Sequence, residues 1–147
     1  MIVVLPYDFA TPTYLEALAL RQEVLRVPLG LDINDDPLHL EFDHHHLGAF
    51  DEQRLVGTCS LRQNQPGVYQ MRQVAVSPTA QGRGTGRLLV AACERFVSQN
   101  HRSGARLFCH ARDVAVPFYE RCGWRVEGEV FTEVGIVHRT MVWPRSA

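Results

Sequence analysis

Lysine is missing altogether: the 147 residues carry 15 side chains of the Lys or Arg type, and every one is arginine. That absence excludes a Schiff-base nucleophile, a pyridoxal-phosphate anchor, a lysine general base and the lysine-dependent Walker A loop. Any phosphate or carboxylate held by this chain must be held by arginine, by backbone N–H groups or by a metal. Long apolar runs are missing too. Ile2 to Leu5 is the only apolar stretch before Pro6 and Asp8, without the basic lead-in of a signal peptide, and no segment reaches the ~18 apolar residues of a membrane span. Cysteine is sparse, at 59, 93, 109 and 122, with no C-x-x-C pair and no metal-finger spacing. Cys59, Cys93 and Cys109 sit inside apolar runs, where a reduced buried thiol is the usual occupant. A cytoplasmic protein with no membrane partner is expected.

A basic surplus is also lacking. The formal net charge is −1, against the footprint of a nucleic-acid binder. The average hides a division. Residues 1–53 hold only Arg21 and Arg26 among ten acids, whereas residues 54–147 hold thirteen arginines and six acids. Two readings stay open: an anion bound on one side and a cationic group on the other, or a solvated acidic loop with scattered surface arginines. A hydrophobic share of 46% with 21% charged residues suits one globular domain over 1–147.

Ile2 to Leu5 reads as a strand closed by Pro6. Thr11-Pro12 supplies an N-cap and first-turn proline, and Tyr14, Leu15, Leu18 and Leu25 keep helical spacing to about Val27, before Pro28 and Gly30. A loop or short helix should cover the acidic run 31–43. Strands follow at 46–50, 55–62 and 68–76, antiparallel, with turns at 51–54 and 64–67. The loop Gln81 to Gly86 precedes a helix whose apolar face is Leu88, Leu89, Ala92, Cys93 and Phe96. A buried strand at 105–109, a helix capped by Asp113 that runs to Cys122, and strands at 124–126 and 135–143 complete the chain. The expected fold is α/β (α+β), a mixed and mostly antiparallel sheet of six or seven strands flanked by helices, in the order β-α-α-β-β-β-α-β-α-β-β.

Gln81-Gly82-Arg83-Gly84-Thr85-Gly86 is the most informative stretch. Glycines at alternate positions let backbone N–H groups turn inward, and the following helix adds its free N–H groups and positive dipole end, a nest suited to pyrophosphate. Plain turn-making by the same glycines is the alternative. A Rossmann fingerprint would need an acidic residue ending the next strand, where this chain has His110.

Val74-Ala75-Val76, with Ser77-Pro78 and the glycine loop after it, resembles the strand-and-loop motif of the GNAT superfamily of acyl-CoA-dependent N-acyltransferases. Phe118-Tyr119 with Gly123-Trp124 resembles its second signature, F-Y-x-x-x-G-F. Gly128, Phe131, Glu133, Gly135, Ile136 and His138 are similar to the G-x-x-F-x-E-x-G-I-P-H pattern of the ElaA-like branch, with Val137 in place of its proline.

The resemblance implies acetyl-CoA as co-substrate and no metal. It places the pyrophosphate on Gln81, Gly82, Arg83, Gly84, Thr85 and Gly86, with Arg83 and Arg87 adding charge. It places the pantetheine along Val74, Ala75 and Val76. The reaction implied is transfer of acetyl to a primary amine of a small molecule or peptide by direct attack on the thioester. Tyr119 occupies the family's acid position, and a phenol with ordinary pKa ~10 can donate to the departing sulfur. Several relatives carry a glutamate base early on the strand equivalent to 68–76, where this chain offers Gln70 and Gln73. Glu133, His138, His110 and the acidic run are left as candidates for the base or the acceptor side; an imidazole of ordinary pKa ~6.5 suits the base's task.

The run His44-His45-His46 invites a metal reading, but successive strand side chains point to opposite faces and cannot converge on one ion without a loop. The acidic segment 32–43 is expected to line the acceptor side and attract a cationic amine. The last strand, with Trp143, either caps the core or forms a homodimer contact. A non-catalytic acyl-CoA-binding domain shares the glycine loop but needs no Tyr119. Transfer to an alcohol, or of a longer acyl chain, also stays open.

Overall fold

The computed structural model describes residues 1–100 and 104–144. Seven strands form one sheet in the order β1-β2-β3-β4-β5-β7-β6: β1 (Ile2–Tyr7), β2 (His45–Asp51), β3 (Arg54–Gln65), β4 (Val68–Val76), β5 (Arg106–Arg112), β6 (Arg125–Glu133) and β7 (Ile136–Trp143). Every neighbouring pair is antiparallel except β4 with β5. Three α-helices flank it: α1 (Pro12–Arg21), α2 (Thr85–Asn100) and α3 (Val116–Arg121). This is the α+β class and strand count that the sequence leads one to expect.

Period-two alternation divides the sheet into two faces. On β3, Cys59 reaches α2, with its sulfur 3.6 Å from that of Cys93, while Thr58 on the opposite face bonds the Tyr7 hydroxyl at 2.6 Å. The α2 face carries the main core, in which Leu61, Leu89, Leu107, Trp124 and Met141 are fully buried. Gly57 makes the approach of α2 possible, since a Cβ there would stand 3.1 Å from both Leu89 and Thr85. The Trp124 indole N–H donates to Glu94 of α2 at 2.8 Å, tying the segment after α3 to the same layer.

Several boundaries differ from the sequence reading for identifiable reasons. β1 runs through Pro6 to Tyr7, because it is an edge strand whose missing N–H can face outward. After Arg21, α1 widens into a π turn, Gln22–Arg26, and a 3₁₀ turn closed by Gly30 at φ 70°. The second helix of the expected order is instead two 3₁₀ segments, Ile33–Asp35 and Leu38–Asp43. Asp113 does not cap α3; it opens a single 3₁₀ turn, and the helix starts at Val116 with Pro117 in its first turn. β6 continues to Glu133 past a bulge at Gly128. β7 lies inside the sheet between β5 and β6, and Trp143 packs against the core, so the edge opposite β1 belongs to β6.

The histidine run takes three directions. His46 is buried, stacked on Tyr7 with ring centroids 5.4 Å apart, and its Nε2 lies 3.0 Å from the Glu41 carbonyl. His45 packs on Phe96 across the sheet, and His44 turns toward Arg72 and Asp43. Among the described residues no group of three His, Cys, Asp or Glu side chains is placed to hold a metal, and no helix is long and apolar enough to cross a membrane.

Candidate active site

The parallel pair β4–β5 is the weak seam of the sheet. Its register covers only Val68 with Arg106, Tyr69 with Leu107 and Gln70 with Phe108, after which the strands part. A bulge in β4 at Gln73, held at φ 57°, turns the strand away. Residues from Met71 onward keep β3 on one side and have no strand on the other. The gap is a cleft of about 560 Å³, lined from β4 by Gln70 to Val74, from β5 by Cys109 to Arg112, and by Tyr119, Glu133 and His138.

Two faces of the sheet supply the chemistry. Tyr119 enters from the α2 face, is 7% exposed, and lines the cleft beside the buried Cys109 thiol. Burial, reinforced by Cys109, raises its pKa well above 10, so the phenol stays protonated at any working pH. The imidazoles come from the opposite face. Arg112 pairs with His138 across β5 and β7, Phe131 pairs with His138 across β6 and β7, and directly opposed residues share a face. His138 Nδ1 lies 2.8 Å from the Ile136 carbonyl, which can only accept, so that nitrogen carries a proton and the neutral ring leaves Nε2 as its lone pair. Nε2 is 3.7 Å from one Glu133 oxygen, while His110 Nδ1 is 3.4 Å from the other. Phe131 stands beside both imidazoles, with centroids 5.0 Å from His110 and 5.8 Å from His138.

The glycine loop lies at the far end of β4. Gly82 and Gly84 adopt φ 77° and 78°, and a Cβ at either would meet nothing, so the left-handed backbone alone is what asks for glycine there. Gly86 differs from Gly82 and Gly84: it is helical, and a Cβ there would meet the Phe118 ring at 3.4 Å, an ordinary contact distance. Thr85 is buried and donates its hydroxyl to the Ala80 carbonyl at 3.0 Å, leaving only its backbone for a ligand. Arg83 precedes the helix and bonds Asp51 at 2.9 Å, whereas Arg87 is exposed, so the two do not form one charged helix face. Val74 lines the cleft, and Ala75 and Val76 pair with Thr58 and Gly57 of β3.

The acidic segment brings Asp36 to the cleft wall and turns Glu41 into the interior. Glu41 is buried and takes both Arg21 terminal nitrogens, at 2.8 and 2.9 Å, plus the Tyr14 hydroxyl at 2.8 Å. Burial alone would raise its pKa; the Arg21 guanidinium outweighs that and lowers it. Asp36 takes Arg26 at 2.6 and 3.1 Å, and Arg26 continues to the Gln73 side-chain oxygen at 3.2 Å. The two arginines of the acidic half therefore neutralise its inward carboxylates and brace the β4 bulge. Cys109 and Arg26 are not among the residues that the sequence singles out for the site, because their spacing carries no motif, and Phe131 enters the sequence reading only as a pattern position.

A family model of the acetyltransferase (GNAT) domain matches residues 22–144. The chain belongs to that family. The GNAT relatives include the uncharacterized N-acetyltransferase YjcF of Bacillus subtilis, 27% identical over 128 residues that cover 86% of this chain and 89% of YjcF. The crystal structure of Escherichia coli ElaA is similar over 97% of this chain and 99% of its own, with TM-score 0.79 and 22% identity. An aminoglycoside 6′-N-acetyltransferase complexed with coenzyme A is similar over 95% of each chain, with TM-score 0.73 and 16% identity. These structural likenesses speak to the fold.

Proposed function

We propose that this protein transfers an acetyl group from acetyl-CoA to a primary amine of a small molecule or peptide by direct attack on the thioester. The observation that carries the reading is the parting of β4 from β5, which opens a cleft with a protonated phenol on one side and an imidazole–carboxylate group on the other. Membership of the GNAT family supports CoA as the acyl carrier, as does the neighbouring fold that binds coenzyme A.

In this reading, backbone N–H groups of Gln81 to Gly86 and the start of the 16-residue α2 hold the pyrophosphate, with Arg83 and Arg87 adding charge at the rim. The unpaired edge of Val74 to Val76 offers its main chain to the pantetheine amides. The amine enters from the imidazole face. Glu133 holds the ammonium form, and His138 Nε2 removes the proton that must leave before or during attack. The amine nitrogen bonds to the thioester carbon, the C–S bond breaks, and Tyr119 donates its proton to the sulfur before being reprotonated from solvent. Leu25 and Leu29 add apolar lining to the cleft beside these groups.

The test is an assay of thiol release from acetyl-CoA over a panel of amines. Release that depends on the amine is expected. Tight CoA binding with no turnover of any amine would mark a non-catalytic CoA-binding domain instead.

A further inference from the structure

Arg72 stands on β4 just before the bulge, opposite Ser60 and on the same sheet face as Gln70. It borders both the 560 Å³ cleft and an adjoining cavity of about 620 Å³ walled by the 36–45 segment. Its surroundings are unusual for a half-buried guanidinium. Arg21 and Arg26 each grip a carboxylate with two nitrogens, yet among the described residues the Arg72 side chain has no hydrogen-bond or ion-pair partner. Burial, then the charge of nearby Arg62, disfavour its cationic form, and Glu41 and Glu133 act on it only from a distance. None of its nitrogens is sealed from solvent, so the guanidinium faces open cavity space.

The cleft as a whole tells the same story. Three arginines line it against two carboxylates. Asp36 is taken by Arg26, and Glu133 is flanked by His110 and His138. The positive charge left without a partner is that of Arg72 and Arg112. A planar guanidinium presents paired N–H groups that match the two oxygens of a carboxylate, and a partly desolvated one gains most from such a partner. Arg72, Glu133 and His138 line one cleft, so a group held by Arg72 shares that space with the proposed base.

We propose that the acceptor is an amine that also carries a carboxylate, and that Arg72 binds this carboxylate while the amine is presented to His138 and Glu133. The inference rests on the acyltransferase reading above, and deepens it from any amine to amino acids or similar amino-carboxylates.

The experiment compares ω-amino acids from glycine to 6-aminohexanoate with alkylamines of equal carbon number and with the matching aminoalkylphosphonates, using acetyl-CoA. At one or more chain lengths the carboxylate should raise kcat/KM about tenfold or more over the alkylamine, as a charge-assisted bidentate contact does. Arg72→Met should abolish that ratio, leaving alkylamine turnover within about threefold and CoA affinity by calorimetry unchanged. Arg72→Lys, which keeps the charge without the fork, should keep part of the ratio and serves if the Met variant fails to fold. Equal use of alkylamines, a ratio that survives in Arg72→Met, or a preference for phosphonates over carboxylates would overturn the proposal. If no amine is turned over, the acyltransferase reading fails separately, and butanoate titrated into the CoA-bound protein decides: saturation-transfer NMR binding lost in Arg72→Met supports the anion site, and no binding overturns it.

Discussion

The Tyr119 phenol and the Cys109 thiol stand together in the buried lining of the cleft, each acting on the other's acidity. In the proposed reaction the acid is Tyr119 and not its thiol neighbour, and two variants separate them. Tyr119→Phe is expected to lower kcat about 10²-fold, the usual scale for loss of a positioned acid, with CoA affinity retained. Cys109→Ala should leave kcat within about threefold. Stopped-time thiol assays on both variants check the pair, and equal losses would make Cys109 part of the acid's function.

Burial pushes the Cys109 thiol up to about 12, and the neighbouring Cys59 thiol, with burial, holds Cys93 well above its ordinary value, while Cys122 is only half-buried. Since the thiolate is the reactive form, iodoacetamide at pH 8 should label Cys122 first and leave Cys59, Cys93 and Cys109 unmodified in the folded protein. Peptide mass spectrometry reads the order.

Gly84→Ala places a Cβ in open space but on a backbone at φ 78°. The cost is about 1 kcal/mol or more of strain where the loop must hold its shape. CoA affinity should fall about fivefold or more with little change in the acceptor KM, as measured by calorimetry and saturation kinetics. An unchanged affinity would remove the loop from the cofactor site.

Glu41→Gln would leave Arg21 buried beside a neutral amide. Breaking one side of such a pair costs on the order of 3–5 kcal/mol, read from urea unfolding at pH 7. The pH dependence has a definite sign. Glu41 is held below its unfolded value, so the stability it contributes is present above about pH 4.5 and is lost as pH falls through the lower folded value. The gap between wild type and variant should therefore close in acid.

Tyr7 gives the opposite limb. Burial raises its pKa to about 12, partly offset by the hydrogen bond to Thr58. The folded state keeps this proton longer than the unfolded chain, so stability is flat below about pH 10 and falls between pH 10 and 12 by roughly 1.4 kcal/mol per unit. Tyr7→Phe should flatten that part of the curve in urea titrations at pH 9, 10 and 11.

Elements with strong local signals were legible in sequence. Thr11-Pro12 caps α1, with Tyr14 N–H on the Thr11 hydroxyl at 3.3 Å, and the alternation in β2 to β4 defined three strands. The stretch 127–133 was not legible, because Glu127, Gly128, Glu129 and Glu133 mask the period of a bulged edge strand. The glycine loop and Tyr119 carry motifs. The pairing of Arg21 with Glu41, Arg26 with Asp36, and Tyr119 with Cys109 spans 10 to 20 residues of chain and appears only once the layers close. The same is true of the absence of a partner at Arg72, which no sequence pattern can express.

The seam at Val68 to Gln70 joins a four-stranded half, β1 to β4, to a three-stranded half, β5 to β7. Three paired positions at one end make it a hinge pin, and the cleft is the angle between two leaves. Tyr69 and Leu107 are buried at the end where the two strands still pair, so their packing sets how the two leaves meet. The tuning of acyl-chain length and acceptor size can therefore be sought at the spine of the sheet as well as among the residues that line its opening.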